Sequence, residues 1–406
     1  MGNRRVVVTG IGVISAPGSN ASEFWKALTR GQSGICPIEA VDCRQFRFQN
    51  GAEVRGYRPE DHFDEKEAGF LDRFAQFAAI AAREAVEDAS VRWTAALKER
   101  TAVAAGSCVG GQSTEDQGFH DVYLEKRNRV HPLTIPKTMA NAGVSQISKE
   151  FGLTGPAFTI STACSSANHA IGNAFWLLRQ GVVEMALAGG SEAPFSFGLL
   201  KAWEALRVVS PDTCRPFSRD RRGMILGEGA AMLVLEPLEA ALARGARIYA
   251  EIAGFGMSSD AHHLTQPSVE GPSRAMRWAL EDGRVPPEGV GYINAHGTGT
   301  PSNDPTETAA IRAVFAAQAD RLAVSSTKSM HGHALGAAGA LEAVATVLAL
   351  HEGILPPTAN FAEPDPECNL DVIPNDARRA EVEWALSNSF AFGGLNAVLA
   401  FRRWAT

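Results

Sequence analysis

Short β-rich apolar runs alternate with longer stretches of helical spacing along this chain, which is the pattern of a layered α/β protein. Residues 5–9 read as a strand, and 22–30 as a helix opened by a small polar cap and stopped by Gly31. Phe74, Phe77, Ile80, Ala81 and Ala85 recur at helical spacing within 72–89, so one face of that helix is expected to be buried. A buried strand at 101–105 runs into Gly106-Ser107-Cys108-Val109-Gly110-Gly111. A loop over 159–163 then reaches Cys164, after which Ala167, Ile171, Ala174, Phe175 and Leu178 follow at helical spacing until Gly181. Cys164 is therefore expected at or beside a helix N-terminus. A strand at 185–188, a long loop, a strand at 230–235 and a helix at 238–244 follow.

The pattern then starts again. It predicts strands at 248–253, 290–295 and 322–325, helices at 273–281, 306–316 and 335–350, and closing strands at 385–389 and 397–401. Gly227-Glu228-Gly229 and Gly393-Gly394 each lead into such a terminal strand, at 230–235 and 397–401, an internal echo that predicts two similar halves, 1–250 and 251–406. Duplication also suits 406 residues, because single cores stop growing at roughly 250–300 residues.

Composition narrows the function classes. With 45% hydrophobic and 20% charged residues the chain can build a large core, and disorder is excluded. A formal charge of −7 argues against a nucleic-acid surface, so any acidic partner has to meet a local basic patch. The six cysteines form no C-x-x-C and suit a reducing, cytoplasmic setting. Asn3-Arg4-Arg5 before an apolar run imitates a secretion leader, but Val6-Val7-Val8-Thr9-Gly10 is strand-like and lacks a cleavage site. Gly2 imitates a myristoylation site, yet Val6 stands where Ser or Thr is needed. No uninterrupted apolar run of about 18 residues occurs, so no membrane insertion is expected.

Candidate chemistry centres on a few side chains. A thiol at a helix N-terminus is expected to be acidified, and small neighbours Ala163, Ser165 and Ser166 leave Cys164 room for a thioester. The other five cysteines read as buried hydrophobes. His296, in Asn294-Ala295-His296-Gly297-Thr298-Gly299-Thr300-Pro301, ends a predicted strand, where side chains emerge into the crevice of an α/β fold. Lys328 and His333 sit in Ser325-Ser326-Thr327-Lys328-Ser329-Met330-His331-Gly332-His333, between strand and helix. A buried ammonium needs an anion, and Glu307 is the candidate. His331 with His333, and His262 with His263, each lack an evident third ligand, so no metal is expected. Gly10-Ile11-Gly12 imitates a dinucleotide fingerprint, but Ser15 replaces its last glycine and no acidic residue follows at the required distance.

Four ordered motifs, Thr162-Ala163-Cys164-Ser165-Ser166, Asn294 to Thr300, Ser326 to His333, and Asn388-Ser389-Phe390-Ala391-Phe392-Gly393-Gly394, make the whole chain resemble the β-ketoacyl synthase family, in particular its elongating Cys-His-His condensing enzymes. The resemblance implies a thiolase-like fold: two related halves, each with a mixed five-stranded sheet, in a layered α-β-α-β-α homodimer. It implies that Cys164 accepts an acyl group from an acyl-carrier protein and that malonyl-carrier protein then enters the same pocket. His296 and His333 would stabilise the enolate formed as carbon dioxide leaves, amides of Cys164 and Phe392 would form the oxyanion hole, and Lys328 with Glu307 would hold the site's electrostatics. Thr298 and Thr300 would flank the phosphopantetheine arm, Val109 would wall the acyl pocket beside Phe390, and Phe392 would be a gate. Arg129 and Arg215 match carrier-docking positions, while Asn128 stands where a basic residue is frequent. No permanently bound cofactor is implied; the phosphopantetheine arm arrives on the carrier.

The chain departs from the family pattern at Ala167 and Ala391, where glycine is usual, and at Leu395, where threonine is usual. Alanine disfavours positive φ, so a stiffer gate is expected. The runs Cys164 to Ile171 and Leu200 to Ala205 are similar to nodulation-type ketosynthases that handle unusual unsaturated chains, beside ordinary fatty-acid elongation. Three alternatives fit the residues less well. A non-catalytic, chain-length-setting partner subunit would lose the nucleophile. A cysteine hydrolase would want a carboxylate or amide to orient its histidine, and a degradative thiolase a second catalytic cysteine, whereas Cys368 lies outside any glycine-rich loop.

Overall fold

The computed structural model describes residues 4–405, so Gly2 and Asn3 lie outside the described residues. Ten strands form one continuous sheet: β1 (Val6–Ser15), β2 (Thr101–Gly106), β3 (Ala157–Ile160), β4 (Met185–Glu192), β5 (Gly229–Pro237), β6 (Ala250–Ser259), β7 (Val290–Asn294), β8 (Ala323–Ser325), β9 (Trp384–Ala391) and β10 (Leu395–Arg403). Their spatial order is β8-β7-β9-β10-β6-β1-β5-β4-β2-β3. Each half contributes a mixed five-stranded unit with the same pairing directions: antiparallel from β1 to β5 to β4, then parallel to β2 and β3, repeated by β6, β10, β9, β7 and β8. The units join where Val6–Val8 pair antiparallel with Ala250–Ile252.

Of the fourteen helices among the described residues, six bear on the site and its support: α1 (Arg73–Asp88), α2 (Ser166–Arg179), α3 (Phe197–Leu206), α4 (Glu270–Gly283), α5 (Asn303–Phe315) and α6 (Ala338–Glu352). In the middle layer, α2 packs on β2 and β4 of its own half and on β6 and β10 of the other, while α6 bridges in the same way. Asn168 on α2 donates to the Ser387 and Ala397 carbonyls, tying the halves. Every residue from Ala338 to Leu350 is buried, as a helix apolar on all sides but for Glu342 and Thr346 requires. The segment Leu335–Glu352 is long and apolar enough to cross a membrane, but 89% of it is buried inside the protein, so it is a core helix. On the outer faces, α1 covers β1, β5 and β4, and α4 covers β6 and β10 with α5 beside it.

The glycines of Gly10-Ile11-Gly12 serve packing. A Cβ on Gly10 would lie 2.2 Å from the Ala85 carbonyl oxygen of α1, and one on Gly12 2.0 Å from that of Ala81. The second half repeats the device: added Cβ atoms on Gly254 and Gly256 would lie 2.3 Å and 2.1 Å from the Ala279 and Ala275 oxygens of α4. In both halves the strand bulges just before the first glycine, at Thr9 and at Ala253. The amides of Ile11 and Phe255 then turn to carboxylates on the covering helix, Asp88 and Asp282, each at 3.0 Å. Each bulge thus frees an amide that the helix satisfies.

Most predicted elements form within a few residues of their expected ends. The stretch between β4 and β5, expected as a loop, contains α3, and the 159–163 loop begins inside β3. Cys164 follows the parallel strand β3, the histidine and lysine motifs follow the parallel strands β7 and β8, and Phe392 lies at the β9–β10 hairpin.

Candidate active site

Cys164 sits on a strained turn between β3 and α2. Ala163 has φ +51°, a left-handed conformation costly for a residue with a Cβ. The turn is held by Thr162 N–H to Ser166 Oγ at 2.8 Å, Ser165 Oγ to the Thr162 carbonyl at 2.9 Å and Ser166 Oγ to the Ala163 carbonyl at 2.6 Å. Small hydroxyl residues after the cysteine are therefore hydrogen-bonding parts of the turn as well as space. Ala167 fits despite replacing glycine, because its methyl packs where Gly190 has no side chain.

The expected acidification is not found. Cys164 is 7% exposed, and burial pushes its thiol up to about 11, although the Lys328 ammonium and the amides of Phe392 and of Cys164 itself pull the other way. A helix terminus contributes roughly 0.3–1 kcal/mol at an exposed site, less than stripping water from a buried thiolate costs. The same two amides that face the sulfur are the pair expected to bind an oxyanion.

His296 follows β7 and His333 follows β8; their ring centroids lie 5.5 Å apart with planes at 85°. Nδ1 of His333 receives the Leu335 N–H at 3.1 Å. Nδ1 of His296 lies 3.3 Å from Lys328 Nζ, which has only protons to offer. Both imidazoles therefore carry their proton on Nε2. Burial first, and the Lys328 charge next, hold both rings well below the usual histidine range, so they are neutral donors.

The anionic partner of Lys328 is Glu342 on α6, not Glu307. Both ends of this pair are fully buried, and Nζ also donates to the His296 carbonyl at 2.6 Å. Burial pushes Glu342 up to about 7 against the pull of Lys328. Glu307 instead receives the amides of His296 and Gly297 at 2.8 Å and 2.7 Å, with Asn388 Nδ2 at 3.2 Å, so it shapes the histidine loop. Glu342 had a signal in the sequence: it is the one ionisable residue between Ala338 and Leu350, and a lone carboxylate in an apolar helix needs a buried cation.

Cys164, His296 and His333 line one cavity of about 370 Å³, together with Thr298, Thr300, Phe390 and Phe392. The hydroxyls of Thr298 and Thr300 lie 2.9 Å apart, and Phe390 is 6.0 Å from the His296 ring. Phe392 occupies the β9–β10 hairpin, whose left-handed residues are Gly393 and Gly394, at φ 84° and 72°. Ala391 ends β9 paired with Leu395 and takes no positive φ, so the expected penalty there does not arise in this conformation. Val109 is not among the residues lining the cavity; its amide is bound by the buried carboxylate of Glu192. Arg129 is exposed, as is Asn128. Arg215 is half-buried and paired with Asp212 at 2.8 Å and Asp220 at 3.3 Å.

Comparison with known proteins points to one family. The family model for the beta-ketoacyl synthase N-terminal domain matches residues 3–241, and that for the C-terminal domain matches residues 249–362. Nodulation protein E of Rhizobium sp. (strain N33) is 49% identical over 99% of this chain and 100% of its own. The 3-oxoacyl-[acyl-carrier-protein] synthase 2 of Staphylococcus aureus (strain COL) is 40% identical over 99% of both chains. The solved ishigamide ketosynthase/chain length factor superposes with a TM-score of 0.94 at 38% identity, over 99% of this chain and 100% of that one. With both domain models matched in order and its sulfur and two imidazoles gathered in one cavity, the chain belongs to the β-ketoacyl synthase family.

Proposed function

We propose that the chain is a β-ketoacyl-acyl-carrier-protein synthase that extends an acyl chain by two carbons, with Cys164 as nucleophile. The observation that carries this reading is the shared cavity, where Cys164 meets two neutral imidazoles with Nε2–H free. In the first stage, sulfur attacks the thioester carbonyl of an acyl chain on the phosphopantetheine arm. The oxyanion is received by the amides of Cys164 and Phe392, and the carrier thiol leaves with the proton taken from Cys164. In the second stage, malonyl-carrier protein loses carbon dioxide, and the enolate oxygen is held by Nε2–H of His296 and His333. The enolate carbon attacks the acyl-Cys164 carbonyl; a carbon–carbon bond forms, the sulfur–carbon bond breaks, and the expelled Cys164 thiolate takes a new proton from water.

Binding of the arm is assigned to Thr298 and Thr300 and packing against the acyl group to Phe390, a reading supported by their lining the same cavity. Carrier docking is assigned to Arg129 and Arg215, the latter sharing its charge with two aspartates. A homodimer is favoured by the exposed apolar side chains Phe119, Tyr123, Leu124 and Ile135 and by the outer position of β3 in the sheet. Six free thiols suit a cytoplasmic setting. The nodulation protein E likeness favours a specialised acyl substrate over housekeeping elongation. A non-catalytic partner subunit would dispense with the sulfur, and the gathered Cys164, His296 and His333 favour the active reading.

The test is mass spectrometry of the purified protein incubated with acyl-carrier proteins of varied chain length and then malonyl-carrier protein. An acyl mass on the Cys164 peptide, lost in Cys164→Ala, and a product two carbons longer are expected. Acylation persisting in Cys164→Ala would overturn the reading.

A further inference from the structure

We propose that Trp203 is a positioning residue that latches the Phe392 gate over Cys164 by aromatic stacking; this rests on Cys164 being the acyl acceptor. The two rings lie 6.2 Å apart with planes only 25° from parallel, an offset stack, and both line the cavity that holds the sulfur. The indole Nε1 is buried without a hydrogen-bond partner, so no polar tie sets the ring's place.

The two sides of this stack differ in stiffness. Trp203 stands on a fixed platform: Leu200 is fully buried, Phe197 meets Phe46 edge-on at 5.4 Å, the Lys201 ammonium lies 4.2 Å from the same Phe46 ring, and Glu204 receives the Arg47 N–H at 2.5 Å. Phe392 is followed by Gly393 and Gly394, both in left-handed conformations, and the loop is held to its neighbours by backbone bonds to Leu264 and Asp260. A rigid aromatic beside a glycine-hinged one biases the hinge toward the stacked state. The Phe392 amide faces the sulfur in this state, so one stack both closes the mouth and aims the oxyanion donor. Losing the indole therefore exposes and hydrates the sulfur while loosening the donor. Burial is the largest cause holding the thiol protonated, so hydration raises its reactivity.

The experiment uses the full chain with Trp203→Ala, Trp203→Leu and Trp203→Phe. Wild-type protein is first acylated from an acyl-carrier protein; failure at this step would defeat the functional reading rather than the latch. Iodoacetamide labelling of Cys164 and of the buried Cys214 is then followed by peptide mass spectrometry at one pH. The Ala and Leu variants should label Cys164 roughly two- to ten-fold faster, the population shift expected from losing one stack, with Cys214 unchanged and the Phe variant near wild type. Their saturating acyl-transfer rate should fall by a similar factor with KM unchanged. Wild-type labelling of Cys164 in the Ala and Leu variants, or a parallel rise at Cys214 marking general loosening, would overturn the latch.

Discussion

Nζ of Lys328 lies 3.3 Å from Nδ1 of His296 and donates to the carbonyl of that same residue at 2.6 Å. One buried ammonium thereby sets the tautomer of the imidazole and ties down the loop that carries it. Its charge is balanced from α6 by Glu342, so the middle helix of the fold is electrically part of the site.

Breaking that pair leaves a buried charge uncompensated, at a cost of about 3–5 kcal/mol. Lys328→Met and Glu342→Gln should each lose stability on that scale in urea unfolding, and the double variant should lose much less than their sum. Malonyl decarboxylation should fall in Lys328→Met, because the His296 tautomer is no longer set, and should not recover in the double variant, which separates stability from chemistry. If Lys328 couples more strongly to Glu307 than to Glu342 in parallel cycles, the assignment here is wrong.

The resting Cys164 thiol should behave as a weak acid. With the group pushed up to about 11, iodoacetamide labelling of its peptide should rise about ten-fold per pH unit from pH 7.5 to pH 9.5. A plateau below pH 8 would instead mean that the helix terminus outweighs burial.

His331, buried behind the site, is pushed down to about 3, first by burial and then by Lys328. An unfolded histidine titrates near 6.5, so below that pH the unfolded chain binds a proton that the folded chain refuses. Stability conferred above pH 6.5 is lost as pH falls, by about 1.4 kcal/mol per unit, down to about 3. Comparing unfolding of wild type and His331→Gln at pH 7.5 and 5.5, the wild type should lose about 1.4 kcal/mol relative to the variant. A difference independent of pH would show that His331 titrates alike in the folded and unfolded chains, against the burial described here.

Gly106 is required by its neighbour rather than by its own backbone. An added Cβ would lie 2.3 Å from the Ala167 amide nitrogen, in the first turn of α2. Gly106→Ala should cost about 1–3 kcal/mol and slow acylation by shifting the Cys164 turn. Gly69→Ala, where an added Cβ meets nothing within 4 Å, should be neutral or slightly stabilising in the same unfolding assay.

Most helices and strands were readable because their causes are local. Asp72 caps α1 from its own sequence position, and the apolar spacing of Phe74, Phe77, Ile80, Ala81 and Ala85 gives the face that packs on β1. Helix α3 was not readable: it is held by contacts with the distant Phe46–Arg47 segment, and its own residues carry only a short apolar pattern. The repeat was legible at β5 and β10, yet its fullest expression, the bulge, glycine pair and helix carboxylate shared by β1 and β6, has meaning only when each strand meets its helix.

By itself the amino-acid order determined the element types, the four motifs and the sulfur, imidazole and ammonium that can do the chemistry, since propensity, capping and residue type act over a few positions. Tertiary structure alone decided which carboxylate neutralises Lys328, that Cys164 rests as a thiol, and that Trp203 faces Phe392. Charge pairing and desolvation depend on what surrounds a group in space, and here those surroundings come from segments as far apart as Asn168 and Ala397, 229 residues along the chain.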